Sequence, residues 1–278
     1  MHTLSNDVLT VNVAEHGAEL QNIVKNGVEY LWQGDPAYWA RRSPVLFPIV
    51  GSVWEGRYRV NGQEFTLGQH GFARDMAFTF VSGSQTEVRY RLESSEQTLE
   101  KYPYPFVLEI AYRLHDNKLD VIWEVMNPSD KDLHFQIGAH PAFYYPDYDQ
   151  QTIERGYISY DRTEDLKRIQ IKEKGCIDVE TQYPFIFPEN GLYPLTSTTF
   201  DGMDAIVHEG SQISRVTIHR NDGTKWLSVD FDAPVVGIWS PPLKNAPFVC
   251  LEPWYGRCDR YGYEGEYKDK DWMNRLSP

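Results

Sequence analysis

Apolar and polar residues alternate with period two along most of the chain. Val8-Leu9-Thr10-Val11-Asn12-Val13 alternates, as do Glu87-Val88-Arg89-Tyr90-Arg91-Leu92 and Leu108-Glu109-Ile110-Ala111-Tyr112-Arg113-Leu114. Successive side chains of a strand point to opposite faces, so these runs predict strands with one face buried. The polar stretch His115-Asp116-Asn117-Lys118 separates the third run from Leu119-Asp120-Val121-Ile122-Trp123-Glu124-Val125. Strand, tight polar turn and strand predict a hairpin. Val216-Thr217-Ile218-His219 and Trp226-Leu227-Ser228-Val229-Asp230-Phe231, joined across Asn221-Asp222-Gly223, predict a second. Asn26-Gly27, Asn61-Gly62 and Asp201-Gly202 mark further turns. Helical periodicity is nearly absent; residues 94–102 and 269–275 suit short helices or turns. No fixed-period repeat or low-complexity linker interrupts the chain, and the polar stretch 147–165 reads as an excursion. The expectation is an all-β fold, a large antiparallel β-sandwich, with residues 1–278 as one domain.

Composition narrows the function classes. The chain is 41% hydrophobic and 24% charged, which is globular rather than disordered. The net charge is −13 and no basic stripe is present, which argues against nucleic-acid and anionic-membrane partners. Cys176, Cys250 and Cys258 are odd in number and form no Cys-x-x-Cys, so a disulfide framework is not expected. Residues 1–7 lack a basic stretch leading into an apolar one, and no run is long enough to span a membrane. The expectation is a cytoplasmic protein. Aromatics make up 14%, with 18 Tyr and 8 Trp, which serves sheet cores and also suits stacking on sugars.

Two segments far apart in the chain carry the chemistry. In Gly138-Ala139-His140-Pro141-Ala142-Phe143, Pro141 forces His140 to be extended and removes the next backbone donor. In Cys250-Leu251-Glu252-Pro253-Trp254-Tyr255-Gly256, Glu252 ends a strongly apolar run. A carboxyl there is paired (Arg257 is a candidate), exposed at the strand end, or kept at a shifted pKa. His140 titrates near neutrality and suits an acid; Glu252 suits a base. His134, six residues before His140, would share its face on an unbroken strand, but no further ligand has zinc spacing, so no metal is expected. Arg41-Arg42 precedes the apolar stretch Ser43 to Gly51 and suits donation to substrate hydroxyls or phosphate. Gln69-His70-Gly71-Phe72-Ala73-Arg74 suits a loop presenting two donors.

Together these segments resemble the aldose 1-epimerase (galactose mutarotase) family, and within it the LacX-like subgroup. The resemblance is carried, in family order, by Gly17-Ala18-Glu19-Leu20, Arg42 with Pro44 to Gly51, His70-Gly71-Phe72-Ala73-Arg74, Gly138 to Phe143, Ile238-Trp239-Ser240-Pro241, and Cys250 to Trp254. It implies a β-supersandwich and interconversion of α and β anomers without a cofactor. By resemblance, His140 protonates the ring oxygen and Glu252 takes the proton of the anomeric hydroxyl. His70 and Arg42 contact the sugar, and Trp239 belongs to the cleft. The family's sugar-binding Asp matches Asp204, with Asp201 as its rival. The chain departs from the His-Gly-Gly of galactose mutarotases, and its His-Gly-Phe-Ala-Arg is similar to that of hexose-6-phosphate mutarotases. Arg74 and Arg42 therefore keep a sugar phosphate open beside a free hexose. A non-catalytic sugar binder or sensor on the same fold is a rival reading. A glycoside hydrolase or lyase is another, although it normally wants two carboxylates across the scissile bond.

Overall fold

A computed structural model describes residues 1–278. It is nearly all β, and every named strand pairing is antiparallel. At its centre lies an eight-stranded sheet. Its members are β1 (Val45–Leu46), β2 (Ile137–Ala139), β3 (Ala142–Tyr144), β4 (Lys167–Ile171), β5 (Ile177–Pro184), β6 (Ala205–Glu209), β7 (Val235–Trp239) and β8 (Phe248–Tyr255). The order is β5-β4-β6-β7-β8-β2-β1, with β3 also paired to β8. Behind this sheet stand two four-stranded sheets, Thr79–Gly83 to Lys118–Met126 and Glu154–Tyr160 to Lys225–Asp230. A third four-stranded sheet is built from the N-terminal strands His2–Ser5 to Val28–Glu29.

Both hairpins form where the alternation places them. Val107–His115 pairs with Lys118–Met126, turning at Asp116 (φ 51°), and Arg215–His219 pairs with Lys225–Asp230. Asn26-Gly27 and Asn61-Gly62 have positive φ at both residues, as tight hairpin turns require. One expectation needs correction. Residues 147–165 are no excursion: Glu154–Tyr160 sits inside a sheet, bonded to Tyr193–Thr196 and Arg215–His219, with Ile158 fully buried. Residues 269–275, expected as a short helix or turn, hold the end of a 3₁₀ turn at Tyr267–Asp269, a turn at 271–272 and the start of the strand Asn274–Leu276. A short helix does form within 94–102, at Glu96–Leu99, capped by Ser95.

Strand β8 explains its own sequence. Val249 and Leu251 face the main core, which reaches from Leu4 to Tyr267. Phe248, Cys250 and Trp254 fill smaller clusters on the other face. A strand covered on both sides reads as a continuous apolar run, not an alternating one. Glu252, in that run, has no solvent side and is 2% exposed.

Trp254 needs space that two glycines provide. A Cβ on Gly237 would lie 2.4 Å from Trp254 Cη2, and one on Gly138 would lie 2.7 Å from Trp254 Cδ1. The indole thus lies over bare backbone of both neighbouring strands.

The strands Lys118–Met126 and Lys225–Asp230 are edges of their sheets, and both line a cavity of about 1070 Å³. Ala139, Pro141, Pro253 and Tyr255 form part of its wall.

Gly237→Ala should lower stability by about 1–3 kcal/mol through overpacking against the indole. Gly68→Ala, where nothing lies within 4 Å, should stay within about 0.5 kcal/mol of the parent. Urea midpoints of the two variants compared with the parent check this; equal midpoints would mean that the indole moves aside without cost.

Candidate active site

Sheet register brings the two chemistry-bearing segments together. Gly138 pairs with Trp254 and Ala142 with Cys250, so β2 and β3 continue one register along β8. That register sets His140, in the gap between them, opposite Glu252. Pro141 lies in the gap, lacking an N–H, while its carbonyl accepts from Leu251 N–H at 3.2 Å. Pairing of Gly237 with Glu252 and of Trp239 with Cys250 brings β7 to the same face.

His140 Nε2 lies 3.3 Å from Glu252 Oε2, and both side chains are nearly sealed from water. Burial pushes the Glu252 carboxyl well up, and the nearby Asp204 charge adds to this. The Trp254 indole beside the carboxyl opposes both without making a hydrogen bond of good geometry. Burial lowers His140 to about 3; its own carbonyl opposes this, and the Arg74 and Arg41 charges reinforce it. His140 Nδ1 and Glu252 Oε2 are both buried without a hydrogen-bond partner. The pair is a dry acid and base that favours its uncharged forms until polar groups enter. Arg257, the rival partner for Glu252, is engaged instead by Glu209 and Asp271.

Aromatic rings wall the pair. Trp39 stacks on His140 at 4.7 Å between centroids and 26° between planes, and Trp239 meets it edge-on at 5.5 Å. His70 stands edge-on at 5.5 Å. Its Nδ1 accepts from Gly51 N–H at 3.0 Å, so the neutral ring carries its proton on Nε2. Burial, followed by the His140 and Arg charges, holds His70 well below the usual histidine range. The His-Gly pairing has a steric cause. Gly71 has φ 70°, and a Cβ there would lie 2.2 Å from the Phe47 carbonyl oxygen.

The remaining candidates divide. Asp204 lies near Glu252 and faces the Trp239 indole N–H; burial raises its carboxyl above the usual range, against that N–H. Asp201 instead accepts from Leu243 N–H at 2.8 Å. Arg74 lies near both histidines with Nη2 on the Gln69 carbonyl at 2.7 Å, while its Nε makes no hydrogen bond and stands 3.8 Å from Asp75 Oδ2. Burial, and then Arg41, lower Arg74 to about 10. The structure does not bring the Arg42 guanidinium to this group: Nη1 donates to Gln21 O at 2.7 Å and Gln33 Oε1 at 2.9 Å. Arg41 takes the place expected of Arg42, near both histidines and paired with Asp75 at 2.9 Å. His134 lies on the strand Leu133–Phe135, paired with Asn274–Leu276 rather than with β8, and does not join His140. The cavity of about 1070 Å³ does not hold the acid–base pair; its wall carries the intervening residues of the same strands.

The family model for aldose 1-epimerase matches residues 1–265. The chain belongs to the aldose 1-epimerase family. It is similar to the chromosomal protein LacX of Lactococcus lactis subsp. lactis, at 32% identity over 99% of this chain and 94% of that one. The galactose mutarotase related enzyme of Lactobacillus acidophilus has 32% identity and a TM-score of 0.91, covering 100% of this chain and 92% of that one. A galactose mutarotase-like protein from Lactobacillus casei gives 30% and 0.91, covering 100% and 95%. Membership agrees with the supersandwich architecture. No helix is long and apolar enough to cross a membrane.

Sequence reasoning missed Trp39 and, of the pair Arg41-Arg42, chose Arg42. Trp39 stands in Ala37-Tyr38-Trp39-Ala40, without a motif, and its proximity to His140 arises only in the fold. Arg41 and Arg42 are chemically alike and adjacent, so their sequence could not say which side each would face.

Buried histidines should make the fold acid-sensitive. His70, His140 and His208 are held uncharged in the folded state, His208 at about 4 chiefly by burial. Below about pH 6.5 the unfolded chain takes up protons that the folded chain refuses, so stability falls with pH. Each such histidine costs up to about 1.4 kcal/mol per pH unit until its folded pKa is reached. The raised carboxyls of Glu252, Asp204 and Glu29 act in the opposite sense, against the four lowered histidines His70, His140, His208 and His134. Urea midpoints should therefore drop from pH 7 to pH 4.5, and less steeply in His208→Gln; an unchanged slope in that variant would show that His208 is not held neutral.

Proposed function

We propose that the protein catalyses mutarotation of a hexose, with Glu252 as base and His140 as acid. The observation that carries this reading is the cross-strand pair at 3.3 Å inside an aromatic pocket. The anomeric hydroxyl and the ring oxygen of an aldose are bonded to the same carbon. One base and one acid side by side reach both. Glu252 takes the O1 proton while His140, as imidazolium, gives its proton to the ring oxygen, and the C1–ring-oxygen bond opens. Rotation about C1–C2 followed by reversal of both transfers gives the other anomer. His70 Nε2–H and Asp204 are placed to bond sugar hydroxyls, and Trp39 and Trp239 offer flat apolar faces. The two transfers leave the protein as it began, and positioned acid–base groups each contribute about 10²–10⁴-fold.

The pair works with one shared proton. A second proton at low pH disables the base, and loss of the only one at high pH disables the acid. kcat/KM should therefore follow a bell whose two apparent pKa values belong to the pair. Glu252→Gln and His140→Gln should each slow anomer exchange at least about 10²-fold, measured by NMR saturation transfer, with unchanged circular dichroism. Exchange as fast in Glu252→Gln as in the parent would sink the assignment. Sugar binding without acceleration in the parent would favour a binding or sensing protein.

Arg74 and Arg41 favour a second reading of the substrate, a hexose 6-phosphate. The Nε of the half-buried Arg74 makes no hydrogen bond, its Asp75 Oδ2 neighbour standing 3.8 Å away, and an anion could supply one. An anion there would also offset the two Arg charges that add to burial in holding His140 low. If so, glucose 6-phosphate or galactose 6-phosphate should exchange with a higher kcat/KM than the free sugar, and Arg74→Gln should remove at least tenfold of that preference. Equal rates for free and phosphorylated sugars would leave the free hexose as substrate.

A further inference from the structure

The sugar-facing side of β8 carries one group that mutarotation does not use. Cys250 and Glu252 point to the same face, two residues apart, and Cys250 is fully buried. The ligating atoms of His140, Cys250 and Glu252 all lie within 4.8 Å of one another. An imidazole nitrogen, a thiolate sulfur and a carboxylate oxygen form the donor set of zinc-class sites that keep a fourth position open. Two observations fit this set to an ion. Two nitrogen or oxygen ligands, each about 2.0–2.1 Å from a tetrahedral zinc, stand roughly 3.3 Å apart. His140 Nε2 and Glu252 Oε2 already have that spacing, 3.3 Å. Glu252 Oε2, on a residue 2% exposed, is aimed at this point and accepts no hydrogen bond.

We propose that His140, Cys250 and Glu252 form a three-ligand site for a thiophilic divalent cation of the zinc class, and that the bound ion switches the active site off. The ion takes the lone pair of His140 Nε2, one oxygen of Glu252 and the sulfur of Cys250. The Cys250 thiol gives its proton to solvent as the sulfur–metal bond forms, the proton shared by Glu252 and His140 leaves with it, and the hydrated cation sheds all its waters but at most one. Its remaining position holds a water or a sugar hydroxyl. Thiolate and carboxylate together neutralise the dication, so the filled site has no net charge to set against Arg41 and Arg74. Magnesium and calcium, which prefer all-oxygen shells, are excluded by the sulfur. Binding is independent of what the enzyme catalyses; the switching rests on the mutarotase reading, because the ion occupies both its acid and its base.

The test is titration of the reduced, chelator-treated full chain with cadmium, read by the ultraviolet thiolate-to-cadmium absorption, with anomer exchange followed in parallel under zinc. The expected result is a band that saturates at one equivalent and is absent with magnesium. It should disappear in Cys250→Ala and in the closer-sized Cys250→Ser, and persist in Cys176→Ser and Cys258→Ser. Zinc should stop exchange in the parent, a chelator should restore it, and the Cys250 variants should need at least tenfold more zinc for half-inhibition. No band in the parent, or a band retained without Cys250, overturns the site. A Cys250-dependent band in a protein that never accelerates exchange upholds the site and overturns the mutarotase reading instead. Undisturbed exchange with the band fully formed overturns the switch.

Discussion

The register of β8 against the β2–β3 arm is the constraint on which the chemistry depends. Side chains of a strand alternate between faces, so slipping the arm by one residue would send His140 into the main core and leave Glu252 facing backbone. Nothing local to the Gly-Ala-His-Pro segment fixes that register, because its own pairing is interrupted at Pro141. It is fixed by what lies on either side: Gly138 against Trp254 and Ala142 against Cys250. Trp254 acts as a key. Its indole lies over Gly138 and Gly237, where a side chain of any size would collide with it.

That placement has an electrostatic cost which the fold does not offset locally. Glu252 and His140 lie on a strand and a strand break covered on both faces, with a buried oxygen and a buried nitrogen left unpartnered. Buried polar groups without partners are costly, and they persist where the surrounding packing over-determines them. Here Trp39, Trp239 and His70 hold the imidazole from three sides. The polar atoms of a ligand would complete bonds that the protein withholds from itself. His70, with positive φ and its Nδ1 occupied by Gly51, is likewise fixed in one tautomer before any ligand arrives.

The hairpins were legible because half-buried strands announce themselves by alternation and their turns by Asn-Gly and polar residues. The central sheet was less so: a strand buried on both faces loses its period, and β8 shows only an apolar run with one misplaced carboxyl. That misplacement identified Glu252 as unusual, and Pro141 did the same for His140. Their juxtaposition is a long-range register that no local pattern encodes. Residues 147–165 looked like loop because the strand Glu154–Tyr160 is flanked by Asp and Gln-rich turns. Arg41 and Arg42 could be told apart only once Gln21 and Gln33 were seen to bind one of them.

The void behind the central sheet gives the site a reverse side. Ala139, Pro141 and Pro253 border both worlds: each is one residue from His140 or Glu252, and each turns its side chain into the cavity of about 1070 Å³. The His140–Glu252 pair is therefore mounted on strands whose opposite side borders this cavity. Bulk added at Ala139 would enter this cavity and press on the strands that carry His140 and Glu252 from the side that neither side chain occupies.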